Sequence, residues 1–434
     1  MSVPDITQKI GHYRYRILAL VFMATTINYF DRSILGVMAP TLQKLFDWSN
    51  KDYAAIMVSF KVAYGLGLSF MGGLIDRYGT RIGYTLSIVT WSIFGMLHAA
   101  IRKSFSLMGF IIARFGLGIG ESGNFPAAIK TVAEWFPKKD RALANGIFDA
   151  STSVGAILAP FIVGAIVTVE GKNWQIPFLI TGALSALWVY LWIKTYRKPE
   201  FHPKLSKAEL DYINSDSAEE SVEKVPWAKI LPKRETWAFA LTTVTDAVWW
   251  FYLFWGAKFL AEKYGVDIKN IGLPFLVIFV MADAGSLIGG YVSGALIKRG
   301  WTINKARKIT LLICAIIILP VTIVPVLANK WIAVFLIGLG AAGHQSWSIN
   351  GYTLVPDVFP RKATASVIGV GKMVGVGVSI AADLVLGTVL DTANNSGYFW
   401  AFVIAGCSYL VILGFVHMLM PKMIPLDDNL NQIK

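Results

Sequence analysis

The sequence predicts an all-α membrane protein with twelve transmembrane helices in two six-helix bundles, and three observations carry that expectation. The 434 residues are 55% hydrophobic and 15% charged, whereas an ordinary globular domain carries about a quarter charged. Apolar windows between charges and turn residues recur twelve times at the roughly 20 residues needed to cross a bilayer. Two sequence matches, in the same order, relate the first half of the chain to the second.

The twelve windows lie near 17–38, 52–74, 82–101, 105–133, 142–168, 175–196, 235–261, 272–297, 306–327, 331–356, 363–389 and 398–420. Arg14 and Arg16 precede the first, as in a secretion signal, but no small-residue cleavage site follows, so it reads as a retained span. Between the sixth and seventh spans, Lys198-Pro199-Glu200, Leu205-Ser206-Lys207-Ala208-Glu209 and Ser215-Asp216-Ser217-Ala218-Glu219-Glu220 are too polar to cross. That stretch reads as an aqueous linker with one short surface helix. The organisation expected is a six-helix bundle over 1–196, a linker over 197–233 and a second bundle over 234–434.

Phe136-Pro137-Lys138-Lys139-Asp140-Arg141 aligns without a gap to Phe359-Pro360-Arg361-Lys362-Ala363-Thr364, each entering the fifth span of its half. Gly72-Gly73-Leu74-Ile75-Asp76-Arg77 likewise matches Gly289-Gly290-Tyr291-Val292-Ser293-Gly294. Both offsets are about half the chain, as two parallel repeats related by an axis along the membrane normal require.

Orientation follows from the basic residues. About 26 Lys and Arg fall in the loops and tails on one side and about 8 opposite, so the first side, with both termini, is expected to be cytoplasmic in a bacterial inner membrane. The net charge of +13 is spread between apolar runs rather than over one face, which favours a membrane surface over nucleic acid. Five scattered histidines and two isolated cysteines, Cys314 and Cys407, offer neither a nucleophile with its base nor a metal cluster. No enzyme activity, metal or cofactor is expected; the partners expected are a small anion, protons and the lipid bilayer, with the chain acting as a monomer.

Each ionisable side chain near mid-bilayer costs about 2.5–3.5 kcal/mol on insertion scales, so it needs a partner or a wet cavity. Asp31, Arg32, Arg114 and Glu121 lie well inside spans one and four. Arg114 and Glu121 are two helical turns apart on one face; Asn28 and Arg32, four apart, share another. Two carboxylates and two guanidiniums can neutralise one another in an empty carrier, and an added anion leaves the site one positive charge short unless a proton follows.

The pattern Gly72-x-x-x-Asp76-Arg77-x-Gly79-x-Arg81 resembles the signature between the second and third helices of the major facilitator superfamily. Glycines there allow close helix approach, and the carboxylate beside cations on the cytoplasmic rim suits a breakable ionic latch; Ser293 takes the acidic position in the second half. Within the superfamily the chain is similar to the anion:cation symporters, and most to bacterial hexuronate transporters. The likeness is carried by Asn28-Tyr29-Phe30-Asp31-Arg32, by Arg114-Phe115-Gly116-Leu117-Gly118-Ile119-Gly120-Glu121-Ser122-Gly123-Asn124-Phe125-Pro126, by Trp249-Trp250-Phe251-Tyr252-Leu253-Phe254-Trp255 and by His344-Gln345-Ser346-Trp347-Ser348.

That resemblance implies the major facilitator fold and proton-coupled uptake of a hexuronate or related sugar acid by alternating access. It implies that Arg32 takes the substrate carboxylate, that Asp31 and Glu121 take protons, and that Arg114 controls Glu121. Tyr29 and Tyr64 match substrate-contacting positions, and Lys61 shares a helical face with Tyr64. Tyr252, Trp255, Gln345, Trp347 and Asn350 add donors and aromatic faces suited to a sugar, while His344 reads as an interhelical hydrogen-bonder. Several positions depart from the hexuronate pattern: Lys61, Asp149, and the opposite charges Lys372 and Asp383 in span eleven. These fit a substrate with a second carboxylate, another sugar acid such as galactonate, or compensated structural pairs. Asp246, Lys258 and Asp283 are further charges in the apolar spans without an assigned role. A transporter-like sensor would be expected to carry a larger soluble region than this linker.

Overall fold

The computed structural model describes residues 11–215, 225–392 and 396–433, excepting the side chains of Ala142, Arg361 and Ser396. The acidic run Asp216 to Glu220 of the linker lies outside them, as does the Arg361 side chain of the repeated turn. Among the described residues there is no strand, only one isolated bridge between Leu426 and Gln432. Helix satisfies every backbone polar group within its own segment, which the hydrocarbon core demands.

Fifteen α-helices follow in order: α1 Tyr13–Phe46, α2 Asn50–Leu97, α3 Ser106–Glu121, α4 Asn124–Trp135, α5 Lys138–Ile166, α6 Ile176–Thr195, α7 Lys207–Ile213, α8 Trp227–Ile230, α9 Arg234–Thr243, α10 Asp246–Tyr264, α11 Gly272–Lys298, α12 Ile303–Ile318, α13 Lys330–Val358, α14 Arg361–Thr392 and α15 Ser396–Leu419. Nine helical stretches among the described residues are long and apolar enough to cross a membrane. One of them, Asn50–Ala100, is double length, so the nine account for ten expected spans. It turns at Gly79, where φ is +79° and ψ 159°, a conformation that a residue without Cβ adopts freely. The other two spans are α1, interrupted in hydropathy by Asp31 and Arg32, and the pair α9 and α10, where regular helix breaks between Thr243 and Asp246.

Packing divides the chain into two units that do not follow chain order. Unit 1 comprises Met1–Ile34, Ser59–Ala159 and Asn173–Glu220, and unit 2 comprises Leu35–Val58, Pro160–Lys172 and Ser221–Lys434. The boundary inside α5 coincides with Pro160, which lies within that helix and removes one backbone hydrogen bond there. Pro126, by contrast, sits in the first turn of α4.

In unit 1, α3 lies against α2 along Gly116, Gly118 and Gly120. A Cβ at Gly118 would come 2.6 Å from the Phe60 carbonyl, and one at Gly120 2.5 Å from the Trp91 amide nitrogen. This glycine run is a helix-packing surface. Trp188 and Trp192 of α6 and Tyr196, which caps it, are four residues apart and stack in one column with centroid spacings of 4.9 and 4.1 Å. The linker contributes α7, whose Ser206 side chain accepts the Glu209 amide at 3.2 Å, the first half of a capping box. Glu209 is buried and pairs with Arg14 at 3.2 Å, and Tyr212 donates to Asp140 at 2.8 Å.

In unit 2, α11 packs on α13 through Gly285 and Gly289, where a Cβ would come 2.3 Å from the Ala342 carbonyl and 2.6 Å from Ser346. The ends of α1 and α2 belong here as well. Tyr53 donates to the Phe254 carbonyl at 2.6 Å, Lys258 donates to Gln43 at 2.7 Å, and Asp391 accepts the amides of Asn50 and Lys51 at 2.9 and 3.0 Å. Cys314 is buried, whereas Cys407 is exposed on α15. Leu287, Ile288 and Tyr291 on α11 are more than half exposed, the apolar exterior that a lipid-facing surface requires.

Candidate functional site

The four charges of spans one and four gather inside unit 1, and all are nearly inaccessible: Arg32 2%, Asp31 1%, Arg114 1% and Glu121 0% exposed. Arg32 makes a two-point contact with Glu121, from Nε at 2.9 Å and Nη2 at 2.8 Å, both to Oε2. Its Nη2 also donates to Asn28 Oδ1 at 3.3 Å, one turn back on α1. Glu121 is the last residue of α3, and the helix restarts at Asn124. Ser122 and Gly123 thus interrupt span four where its carboxylate meets Arg32.

Aromatic rings enclose the guanidinium. The Arg32 Cζ lies 4.5 Å from the Tyr29 ring centroid, 5.0 Å from that of Tyr64 and 5.3 Å from that of Phe60. Such rings stabilise a cation without neutralising it. Tyr29 and Tyr64 are each half-buried, so the cage is less closed than the ion pair behind it.

Asp31 points away from Arg32, its chain neighbour, and accepts from the Thr181 hydroxyl of α6 at 3.0 Å. A Cβ at Gly95 would come 2.9 Å from Asp31 Oδ2, so a larger residue there would press on the carboxylate. Arg114 packs on the Phe60 ring at 5.8 Å and acts electrostatically on both Asp31 and Glu121. The direct partner of Glu121 is therefore Arg32, the expected anion clamp, and Arg114 is the longer-range charge. One oxygen of Glu121, Oε1, and one of Asp31, Oδ2, are buried without a hydrogen-bond donor among the described residues. Such atoms are costly unless protonated or solvated. Thr181 carried no sequence signal, being one hydroxyl in an apolar span; Phe60 was equally silent. Lys61 is buried in unit 1, whereas Asp149 is exposed.

The rim motif is also in unit 1. Asp76 pairs with Lys130 of α4 at 2.6 Å, the two side chains 71% and 28% exposed. Arg81 donates to the Ile193 carbonyl at 2.5 Å, while Arg77 lies 5.6 Å from the Tyr78 ring. The space beside Gly72 and Gly73 is open, so close approach is not their contribution; Gly79 supplies the turn itself. In unit 2 the matching Ser293 accepts from Arg307, whose Nε also meets Asp357 at 2.8 Å. The second half therefore holds its carboxylate on α13 instead of at the motif position.

The aromatic and amide residues expected from the second half lie in unit 2, mostly with their donors engaged there. Trp255 Nε1 donates to Asp383 at 3.1 Å, Trp347 Nε1 to the Thr242 carbonyl at 3.2 Å, and Asn350 Nδ2 to the carbonyls of Gly289 and Ser346 at 3.1 and 2.9 Å. Gln345 is half-buried. Tyr252 is buried with its hydroxyl lacking an acceptor among the described residues. His344 Nδ1 shares a 2.8 Å hydrogen bond with Tyr409. Lys372, eleven residues from Asp383, meets Asp246 instead at 3.0 Å, and Lys258 meets Glu262 at 2.5 Å. Asp283 is half-buried on α11. No group of three His, Cys, Asp or Glu among the described residues is arranged to hold a metal.

The Major Facilitator Superfamily pattern matches residues 21–382. The chain is 32% identical over 400 residues to the hexuronate transporter of Escherichia coli (strain K12), an alignment covering 90% of this chain and 91% of that one. It is 28% identical over 430 residues to the probable galactarate/D-glucarate transporter of the same organism, covering 95% and 96%. In fold it is similar to a crystal structure of a bacterial homologue of the human lysosomal transporter Spinster in an inward-facing, occupied conformation. That likeness has a TM-score of 0.76 at 18% identity, over 95% of this chain and 98% of that one.

Proposed function

The chain belongs to the major facilitator superfamily and is a multi-pass inner-membrane transporter, and from that premise we propose that it takes up a hexuronate or related sugar-acid anion together with protons, by alternating access. The observation that carries this reading is the buried Arg32 to Glu121 pair within its neutral four-charge cluster. A guanidinium offers a planar two-point fit to a carboxylate, and here Glu121 occupies that fit. An arriving anion competes for Arg32; protonation of Glu121 removes the competitor. Anion and proton then bind together, and each is released when the other leaves.

In this reading Arg32 holds the substrate carboxylate, Tyr29 and Tyr64 flank it, and Lys61 adds positive potential. Glu121 and Asp31 are the proton carriers, and Arg114 sets how readily they bind protons. Tyr252, Gln345 and Lys372 of the second half offer hydrogen bonds to sugar hydroxyls, while Trp255, Trp347 and Asn350 hold the surrounding helices in place. Gly72, Asp76, Arg77, Gly79 and Arg81 form the cytoplasmic latch, with Asp76 and Lys130 as its breakable pair. The two six-helix halves, both termini in the cytoplasm and a monomer in the bilayer complete the proposal. The name of the galactarate/D-glucarate relative supports a second reading, transport of a diacid or aldonate.

Proteoliposomes under an imposed proton gradient test it, offered glucuronate, galacturonate, galactonate and uncharged glucose. Gradient-driven uptake of at least one anion is expected, with glucose excluded. Transport of glucose alone would overturn the anion reading.

A further inference from the structure

The Lys372 to Asp246 pair lies well inside the apolar spans of the second half. Lys372 stands eleven residues into α14, about 16 Å along it, and Asp246 opens α10 directly after the break that ends α9. Both therefore fall in the middle part of apolar spans long enough to cross a hydrocarbon core about 30 Å thick. The two groups are 3.0 Å apart, with the Lys372 side chain 42% exposed and that of Asp246 16%. A purely structural ion pair at this depth would be expected to be sealed.

The surroundings fix both partners. Asp246 opens α10 just after the break that follows Thr243, where the helix dipole favours a carboxylate. The Thr243 hydroxyl donates to the Gly371 carbonyl, next to Lys372, at 2.6 Å, tying the break to α14. The Lys372 ammonium lies 5.0 Å from the Tyr352 ring. An ammonium has three donors and Asp246 accepts one, so Lys372 can serve a hydroxyl while its charge stays neutralised.

We propose that Asp246 is a specificity-determining residue: held against Lys372, it cancels the exposed cation of span eleven and makes the carrier prefer substrates with one carboxylate over diacids of the same size. This rests on the reading that the chain carries a sugar acid. A second carboxylate brought to Lys372 must displace Asp246 and strand it, or remain beside it and be repelled; both are discrimination by an unfavourable contact.

The test is the ratio of dissociation constants for galactarate and galacturonate, measured by calorimetry on the purified full-length protein. Asp246→Asn frees the ammonium and is expected to shift the ratio toward galactarate by about tenfold or more. Lys372→Gln, which leaves Asp246 uncompensated, should shift it the same distance toward galacturonate. The double variant should return it near the wild-type value. A ratio unchanged in whichever single variant folds overturns the proposal and leaves a structural ion pair. Wild-type protein that binds neither these two anions nor glucuronate or galactonate overturns the sugar-acid reading and this one with it, whereas normal galacturonate binding with an unmoved ratio overturns this one alone.

Discussion

Replacing Glu121 with Gln tests the coupling at its narrowest point. Two unit charges 4 Å apart attract by about 4 kcal/mol at an effective dielectric near 20. The Arg32 to Glu121 contact is 2.8 Å and buried on both sides, so an anion bound by Arg32 forfeits an interaction of at least that order while Glu121 is ionised. The amide preserves the shape and one acceptor, and recovers part of the loss as a hydrogen bond. Anion affinity in Glu121→Gln at neutral pH should therefore rise by about tenfold to a hundredfold.

The sign of the pH effect follows. In the wild type, anion binding takes up a proton, so affinity rises as pH falls, by about tenfold per unit wherever one proton is exchanged. In the variant the contribution of Glu121 disappears and the slope shrinks by one proton. Calorimetry with galacturonate from pH 5.5 to 8.5 reads both quantities. Counterflow exchange in proteoliposomes should survive, while uphill uptake under an imposed gradient should vanish. An undiminished slope, or full gradient-driven accumulation, would refute the assignment.

Arg32→Lys keeps the charge but loses the planar two-point contact, so galacturonate affinity should fall by about tenfold or more; calorimetry showing wild-type affinity would remove Arg32 from the anion site. Gly120→Ala forces a methyl group to within 2.5 Å of the Trp91 amide nitrogen and should destabilise the fold by about 1–3 kcal/mol, visible as a lower melting temperature in detergent. An unchanged melt would show that α2 and α3 yield more readily than their contact implies. Asp76→Asn removes a mostly exposed partner of Lys130, so stability should change by less than about 1 kcal/mol while the exchange rate changes. A wild-type rate would exclude the pair as a latch.

The spans were legible because hydropathy records burial in lipid directly, whereas the turn at Gly79 was not, since the glycines of that motif read as helix-packing residues and only the fold shows the positive φ. What the sequence could not supply was pairing. Asp31, Arg32, Arg114 and Glu121 each announce a need for company, but helical spacing relates only residues on one helix. Arg32 and Glu121 are 89 positions apart, and no period connects them. The same holds for Lys372, whose partner Asp246 is 126 residues away. Thr181 was invisible for another reason, since a hydroxyl in an apolar span commonly bonds its own helix and only the fold aims it at Asp31. The linker reads as holding one short surface helix, and that helix is α7, but its Glu209 is buried against Arg14, a contact local spacing does not reveal.

Arg14 stands near the beginning of the first half and Glu209 near its end, so their bond works as a buckle: the stretch that leads out of the sixth span is fastened to the one that leads into the first. A chain stopped after Ser215 would keep that fastening entire. Such a piece, made separately and mixed with the remainder, is a natural starting point for rebuilding the carrier from two polypeptides, and for labelling one half without touching the other.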